Sequence, residues 1–305
     1  MNEPSVFQVE SKTMPLDNLH RVEDPDLPRR TASHREVHNV YGMLNTKGTY
    51  EGLLKLNPDQ RPFVLTRASY AGGWRYAATW TGDNTSWNHL RLSVAQLMSL
   101  GLSGYTLVGD DIGGFLGTPS ADLLTRWIEL GAFNPIYRDH TAIGSGDQEP
   151  WVHGPQHELI RRKYIETRYR LMPYLCTAVE QSAHTGLPVM RPLFLEYTQK
   201  DLNGFGPDAF QQQFLFGRAL MVAPQPLETL DKYEVRFPSG PWYNFWTGQL
   251  VSASLSVLVE PQLDTLPVFA RGGSIIPMRP LTQSAVEIPQ GSLKLLVFRS
   301  TKDVR

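Results

Sequence analysis

The sequence is poor in cysteine, in long apolar runs and in surplus charge, and each shortage excludes a class of protein. Cys176 is the single cysteine among 305 residues, so an intrachain disulfide and a zinc site built from several thiolates are excluded. No apolar run reaches the length of a membrane-spanning helix, and no secretory leader is recognisable at Met1. The formal net charge is -1 at pH 7, with no basic stretch that would attract nucleic acid. The sequence indicates neither a compartment nor an oligomeric state.

The composition is that of a globular protein. Hydrophobic residues make up 41% of the chain and charged residues 19%, which suits a substantial buried core. The length allows one large domain or two ordinary ones. Because the charges nearly cancel, the composition favours an uncharged polar ligand over a polyanion.

Helical and strand-like segments alternate in the first two thirds of the chain. Helical spacing of apolar residues predicts helices over residues 34–56, 88–100, 120–131 and 156–185. The last of these is broken near Pro173, and Ser120 is a candidate N-cap. Short apolar runs predict buried strands over residues 62–67, 77–81, 104–108 and 133–137. This alternation predicts parallel β/α units, whereas the polar, proline-rich residues 1–33 predict a long loop.

From about residue 214 the chain consists of short apolar segments separated by glycine and proline. The segments are residues 214–217, 219–223, 233–237, 242–246, 266–270, 274–277 and 293–298. Such spacing predicts an antiparallel β-sandwich. We therefore expect a partial barrel at 1–212, a β-sandwich at 213–290 and the start of a further β-domain at 291–305.

Polar side chains follow each strand predicted in the barrel part. They are Arg67, Asp83, the Asp110-Asp111 pair and the run Arg138-Asp-His140. Active sites of β/α barrels lie at the carboxyl ends of the strands. Carboxylates and an arginine set among aromatic residues and glycines indicate chemistry on a neutral, polyhydroxylated substrate.

Several of these runs belong to longer blocks that follow one another along the chain. The blocks are Met1-Asn-Glu-Pro-Ser5, His38-Asn-Val-Tyr-Gly42, Arg67-Ala-Ser-Tyr-Ala-Gly72, Trp80-Thr-Gly-Asp-Asn84, Asp111-Ile-Gly-Gly-Phe115, Arg138-Asp-His140 and residues 266–277. In content and order the blocks resemble glycoside hydrolase family 31, the retaining α-glucosidase family. The resemblance implies an α/β chain: the C-terminal half of a (β/α)8 TIM barrel followed by an antiparallel β-sandwich.

The resemblance also implies catalytic roles. Retaining glycosidases use two carboxyl groups about 5–5.5 Å apart, one as nucleophile and one as acid and base. Asp83 matches the family's acid/base, and the neighbouring Trp80 would desolvate it and raise its pKa. Judged on its residues alone, Asp83 could equally cap a helix that starts near Trp87. Glu3 matches an acidic residue that orients the nucleophile or stabilises charge; the alternative is a solvated loop glutamate.

The family's nucleophile is an Asp immediately before the Met of the first block. Met1 is the first residue of this chain, so that Asp is not in the sequence. We therefore expect the chain to be a piece truncated at both ends and inactive by itself, since the covalent step needs the nucleophile.

Five further residues match the family's sugar-binding positions. They are Arg67, Trp80, Asp111, Phe115 and His140. Structural alternatives remain for each kind of residue: a salt-bridged arginine at a strand end, aromatic residues of the core, and a structural histidine. Asp110 is given no role, because that position is not acidic throughout the family.

The function implied is release of terminal, non-reducing α-linked glucose from oligosaccharides, with no cofactor and no metal. One alternative is an α-xylosidase or another specificity of the same family. The alternative from another class is an inactive fragment or a non-catalytic carbohydrate-binding remnant.

Two other motifs are weaker. His34 and His38 lie one helical turn apart, a spacing zinc could use, but the glutamate between them is misplaced for a His-Glu-x-x-His site. The glycines from Gly109 to Gly114 lack the spacing of a dinucleotide-binding loop. We therefore expect neither a metal nor a nucleotide.

Overall fold

The computed structural model describes residues 3–23, 28–82, 84–202, 204–229, 231–251 and 256–300. Contacts within the chain divide it into two units, Met1–Trp80 and Thr81–Arg305, termed the N-terminal and the C-terminal unit. Among the helices of the described ranges, none combines the length and the apolarity needed to cross a membrane.

The N-terminal unit contains a β-hairpin, one long helix and a short strand. These are β1 (Leu19–Val22), β2 (Arg30–Ser33), α1 (His34–Leu56) and β3 (Thr79–Trp80). β1 and β2 pair antiparallel, with Leu19 opposite Ser33. The prediction of a loop throughout residues 1–33 is therefore wrong, because backbone pairing rather than an apolar pattern forms this hairpin. The helix predicted over 34–56 is confirmed.

The chain around the hairpin satisfies the first amides of α1. His34 N donates to Asn18 O at 2.7 Å, and Arg35 N donates to Leu16 O at 2.9 Å. The N-cap residue Ser33 makes no side-chain capping bond. Backbone carbonyls thus replace the usual hydroxyl cap.

The strand predicted over 62–67 is reduced to one parallel bridge, Leu65 with Ala78. Thr66 N donates to Ala78 O at 3.0 Å, and Ala78 N donates to Val64 O at 2.9 Å. Two hydrogen bonds pair this apolar run but do not extend it into a strand, so the predicted strand is wrong in extent. Of the strand predicted over 77–81, only Thr79–Trp80 is observed, as β3.

The four longer helices of the C-terminal unit agree with the prediction, whereas the short helix over residues 207–212 was not predicted. The helices are α2 (Trp87–Leu102), α3 (Ala121–Gly131), α4 (Pro155–Arg170), α5 (Met172–Thr185) and α6 (Pro207–Gln212). Ser120 caps α3, since its hydroxyl accepts from Leu123 N at 3.3 Å. The break predicted near Pro173 lies at Leu171, where α4 ends and α5 begins with its proline in the first turn.

The other two predicted barrel strands are short or absent. β4 is Val108–Gly109 only, at the end of the run predicted over 104–108. Residues 133–137 form turns rather than a strand, with Phe133 N bonded to Leu130 O at 2.9 Å. Parallel pairing occurs just beyond them, where Ile112 bridges to Asp139.

Antiparallel sheets follow the helices, as predicted. Their strands are β5 (Met190–Pro192), β6 (Phe214–Phe216), β7 (Leu220–Val222), β8 (Tyr233–Arg236), β9 (Trp242–Asn244), β10 (Leu250–Val251), β11 (Ser256–Val259), β12 (Val268–Arg271), β13 (Ser274–Met278) and β14 (Lys294–Phe298). One six-stranded sheet has the order β10-β9-β12-β7-β6-β5, while β8 pairs with β11 and β13 with β14. The β5, β10 and β11 strands were not predicted.

The main core of the C-terminal unit joins its helices to the six-stranded sheet. Leu97 of α2, Trp127 of α3 and Phe216 of β6 are all fully buried in one cluster. Every residue of α3 from Leu123 to Gly131 is buried. This core fixes the loops that carry the candidate site residues of the C-terminal unit.

Candidate functional site

In the N-terminal unit, Glu3 and Arg67 form a two-point ion pair. Arg67 Nε donates to Glu3 Oε1 at 3.1 Å, and its Nη2 donates to Oε2 at 3.3 Å. This fork geometry orients both groups more strictly than a single bond would. The side chains are 45% and 26% exposed, so the pair is accessible to a ligand.

Trp80 lies beside this pair. The guanidinium carbon of Arg67 is 6.0 Å from the centroid of the Trp80 ring. At that distance the cation–π attraction is weak. The arrangement nevertheless brings together three predicted site residues, Glu3, Arg67 and Trp80, at one place in the N-terminal unit.

In the C-terminal unit, Asp110 and Asp111 are both buried but have different partners. Asp110 accepts hydrogen bonds from Trp127 Nε1 at 2.7 Å and Asn134 Nδ2 at 2.9 Å. These bonds tie β4 to α3 and the turn after it, so Asp110 is structural. Asp111 accepts from Arg138 Nη2 at 3.1 Å.

Phe115 and His140 stack on one another. Their ring centroids are 5.0 Å apart at an interplanar angle of 29°. Ala142 N donates to Phe115 O at 2.8 Å, which fastens the two loops together. Asp111, Phe115 and His140 therefore lie on two loops that are joined by the Asp111–Arg138 pair and this stack.

The glycine turn between Asp111 and Phe115 has no room for side chains. Gly113 and Gly114 both have positive φ, 83° and 85°. A Cβ on Gly114 would lie 2.4 Å from Thr85 N, and one on Gly113 would lie 2.3 Å from Gln148 Oε1. Gln148 is buried and donates from Nε2 to Gly114 O at 2.9 Å. Sequence reasoning missed Gln148, whose partner is 34 residues away.

The pKa values of Asp139 and His140 are both shifted from their ordinary values. The pKa of Asp139 is raised to about 7, because desolvation and the negative charges of Glu149 and Asp111 disfavour ionisation. The pKa of His140 is lowered by partial desolvation and by the charge of Arg138. His140 is thus held as a neutral imidazole, which both donates and accepts hydrogen bonds to hydroxyl groups. Arg138 belongs to one of the sequence blocks, but its pairing with Asp111 follows only from the fold.

Asp83 lies outside the described residues. Its alternative role as cap of the helix near Trp87 is taken by another residue. The hydroxyl of Ser86 accepts from His89 N at 3.2 Å at the start of α2. The capping requirement of α2 is therefore met without Asp83.

The spacing of His34 and His38 does not create a metal site. Nε2 of His34 is 3.1 Å from Nδ1 of His38, so the two rings are hydrogen-bonded to each other rather than aimed at a common point. In the part of the chain that the structure describes, no group of three or more His, Cys, Asp or Glu side chains is arranged to hold a metal ion.

Comparison with protein families gives two consecutive matches. The family described as "Glycosyl hydrolases family 31 TIM-barrel domain" matches residues 1–178. The description "Glycosyl hydrolase family 31 C-terminal domain" matches residues 186–276. The boundary between them falls at the transition from the helices to the antiparallel sheets.

Similar proteins include two named as glucosidases and one named as a dextranase. Alpha-glucosidase 2 of Bacillus thermoamyloliquefaciens is 42% identical over 98% of the chain, which covers 37% of that protein. A GH31 dextranase of Flavobacterium johnsoniae, complexed with glucose, is 34% identical with a TM-score of 0.81. The match covers 88% of this chain and 34% of the dextranase. The Tris-bound glucosidase II alpha subunit is 32% identical with a TM-score of 0.83 over 99% of the chain and 32% of its own. The chain thus spans about a third of the length of these relatives.

Proposed function

The chain belongs to glycosyl hydrolase family 31, and we propose that it contributes to hydrolysis of terminal, non-reducing α-linked glucose from oligosaccharides with retention of configuration. Asp83 protonates the departing glycosidic oxygen and then deprotonates the attacking water. Glu3 orients the nucleophilic carboxylate or stabilises charge near it. No step requires a cofactor.

The remaining site residues bind the sugar. Arg67 donates to hydroxyl groups while Glu3 holds its guanidinium in place. Phe115 and His140 offer a ring surface and a neutral imidazole, and Asp111 accepts from hydroxyl groups or holds Arg138 against them. Trp80 supplies a further aromatic surface.

The observation that carries the proposal is the loop cluster of the C-terminal unit. A buried, arginine-paired carboxylate, an aromatic ring and a neutral histidine stand within two joined loops. Neutral sugars are bound by such combinations of hydroxyl-binding groups and flat apolar surfaces. The chain has no excess of positive charge that would favour an anionic ligand. The names of the relatives support the choice of an α-linked glucose.

We also propose the domain limits 1–212, 213–290 and 291–305, and inactivity of a polypeptide made of residues 1–305 alone. Residues 1–305 cover only 37% of the length of alpha-glucosidase 2. Activity is therefore best tested in a hybrid in which this chain replaces the matching segment of alpha-glucosidase 2 of Bacillus thermoamyloliquefaciens.

The test compares hydrolysis of nitrophenyl α-glucoside and nitrophenyl α-xyloside by the hybrid. We expect a clear preference for the glucoside, with α-glucose as the first anomer seen by proton NMR. A preference for the xyloside would contradict the proposed substrate, and β-glucose as first product would contradict retention. If the hybrid does not fold, saturation-transfer NMR of the chain with methyl α-glucoside and methyl α-xyloside makes the same comparison.

A further inference from the structure

Three histidines of the N-terminal unit form a continuous hydrogen-bonded chain. His20 lies on β1, while His34 and His38 lie on the first two turns of α1. Nε2 of His20 is 3.1 Å from Nδ1 of His34, and Nε2 of His34 is 3.1 Å from Nδ1 of His38. His34 has no exposed surface, and both of its ring nitrogens are used within the chain.

A hydrogen-bonded chain of neutral imidazoles has a direction. A neutral ring carries one N–H and one lone pair, so His34 donates to one neighbour and accepts from the other. In one direction all three histidines carry their proton on Nε2. In the opposite direction His34 and His38 carry it on Nδ1, and Nε2 of a neutral His38 is a lone pair.

The middle ring of the chain stays uncharged. Burial lowers the pKa of His34, and the neighbouring His20 and His38 lower it further. The Tyr41 ring packs 5.8 Å from the rings of both His20 and His34. Arg30 of β2 pairs with Glu36 in the first turn of α1, so these two charges offset one another. The three hydrogen-bonded histidines therefore determine which ring nitrogen of each carries the proton, without carrying a charge.

His38 also lines a surface depression that holds Glu3 and Arg67, together with Ser5, Lys12 and Thr13. Because Nδ1 of His38 is bonded to His34, Nε2 is the ring nitrogen left to serve a group in this depression. Lys12 is engaged elsewhere, donating to Phe7 O at 2.9 Å. Arg67 accepts no hydrogen bonds, whereas the Glu3 carboxylate has lone pairs beyond the two that Arg67 uses.

We propose that His20 donates its hydrogen bond to His34 and that His34 donates to His38. This direction leaves an N–H at Nε2 of His38, which makes His38 a positioning residue for the Glu3–Arg67 pair. We expect this N–H to interact with the Glu3 carboxylate, which lines the same depression and is bonded to Arg67. The catalytic meaning of this pair rests on the proposed function, but the tautomer of the three histidines does not.

Long-range proton–nitrogen NMR of the full 305-residue chain with labelled histidine tests the direction. The expected result is a proton on Nε2 of His20, His34 and His38, with Nδ1 unprotonated in each at neutral pH. Protons on Nδ1 of His34 and His38 would overturn the proposal. This measurement needs neither sugar nor turnover. Its result is therefore independent of whether the proposed function is correct.

Variants test the positioning role. We expect His38→Phe to shift the NMR signals of Arg67 Nε–H and Glu3 Cδ, and His38→Gln, whose amide supplies an N–H, to restore them. His184→Phe, at an exposed pair on α5, is the matched control and leaves both signals unchanged. Unchanged Arg67 and Glu3 signals in a folded His38→Phe protein would contradict the positioning role.

A third variant covers the case in which the His38→Phe protein does not fold. His20, the first of the three hydrogen-bonded histidines, is only partly buried, so we expect the fold to tolerate its replacement. His20→Phe removes the first donor, and the expected result is a mixture of both tautomers at His38. A single Nε2 tautomer retained at His38 in this variant would show that the chain does not set it.

Discussion

At the scale of single residues, the sequence locates candidate side chains but not their partners. Glu3 and Arg67 are 64 positions apart, and their pairing follows only from the folded N-terminal unit. The neighbours Asp110 and Asp111 look alike in sequence, yet the first is bound to Trp127 and the second to Arg138. Pairing of this kind is a tertiary property, so the roles of the predicted site residues stay proposals.

Replacing Arg67 by Lys tests the fork at this scale. Lysine keeps the charge but cannot make the two parallel bonds to Glu3. Because the pair is solvent-exposed, the free energy of unfolding should change by less than about 1 kcal/mol. The KM of the hybrid for nitrophenyl α-glucoside should rise roughly tenfold, the size expected for one charge-assisted hydrogen bond.

Arg21→Lys is the control for this measurement. Arg21 forms an exposed pair with Glu23 at 3.8 Å, and neither residue is a candidate for the site. An equal rise of KM in both variants, or no rise in Arg67→Lys, would remove Arg67 from sugar binding.

At the scale of elements, helices were more predictable than strands. Helical spacing of apolar residues over ten or more residues identifies α1 to α5. Apolar runs of five or six residues do not distinguish a strand from a buried turn, which is why residues 133–137 were predicted wrongly. The hairpin of β1 and β2 carries little apolar signal, since β1 alternates only between exposed and half-buried residues and β2 buries only Ala32.

Serine caps give a prediction for the helices. Ser120→Ala removes the hydroxyl that accepts from Leu123 N, and it should lower the free energy of unfolding by about 1 kcal/mol. Ser33→Ala is the matched control, because Ser33 stands at the N-cap of α1 without a capping bond. Urea unfolding of both variants measures the difference, and equal losses would contradict this account of α3.

Helix α3 also gives a pH dependence. Burial raises the pKa of Glu129 well above its ordinary value of 4.5, although the charges of Arg126 and Lys163 oppose the shift. A carboxyl whose pKa is raised by folding stabilises the folded state below its unfolded pKa, and this contribution is lost as the pH rises through the folded pKa. Relative to Glu129→Gln, the wild-type chain should therefore lose stability as the pH rises above the ordinary pKa of 4.5.

Denaturant unfolding at several pH values measures this difference. The glutamine variant keeps the size of the side chain and cannot ionise, so it isolates the titration of Glu129. A wild-type chain that gains stability over the variant as the pH rises would show that Glu129 is ionised and favourably paired in the fold.

At the scale of the whole molecule, the predicted architecture is confirmed: part of a family 31 TIM barrel, followed by a C-terminal domain of antiparallel sheets. The order of the sequence blocks made this predictable, whereas the short barrel strands alone would not have done so. Glu3, Arg67 and Trp80 lie in the N-terminal unit, and Asp111, Phe115 and His140 lie in the C-terminal unit. The chain spans about a third of the length of the similar proteins, so its activity stays a proposal.

The most direct test of the central claim is the dependence of an Asp83→Asn hybrid on the leaving group. With maltose, whose leaving oxygen needs a proton, the rate should fall roughly 10²–10⁴-fold. With α-glucosyl fluoride, which departs without protonation, it should fall far less, and the exposed control Asp122→Asn should keep both rates. Equal losses on the two substrates, or none, would contradict the assignment of Asp83 as the acid and base.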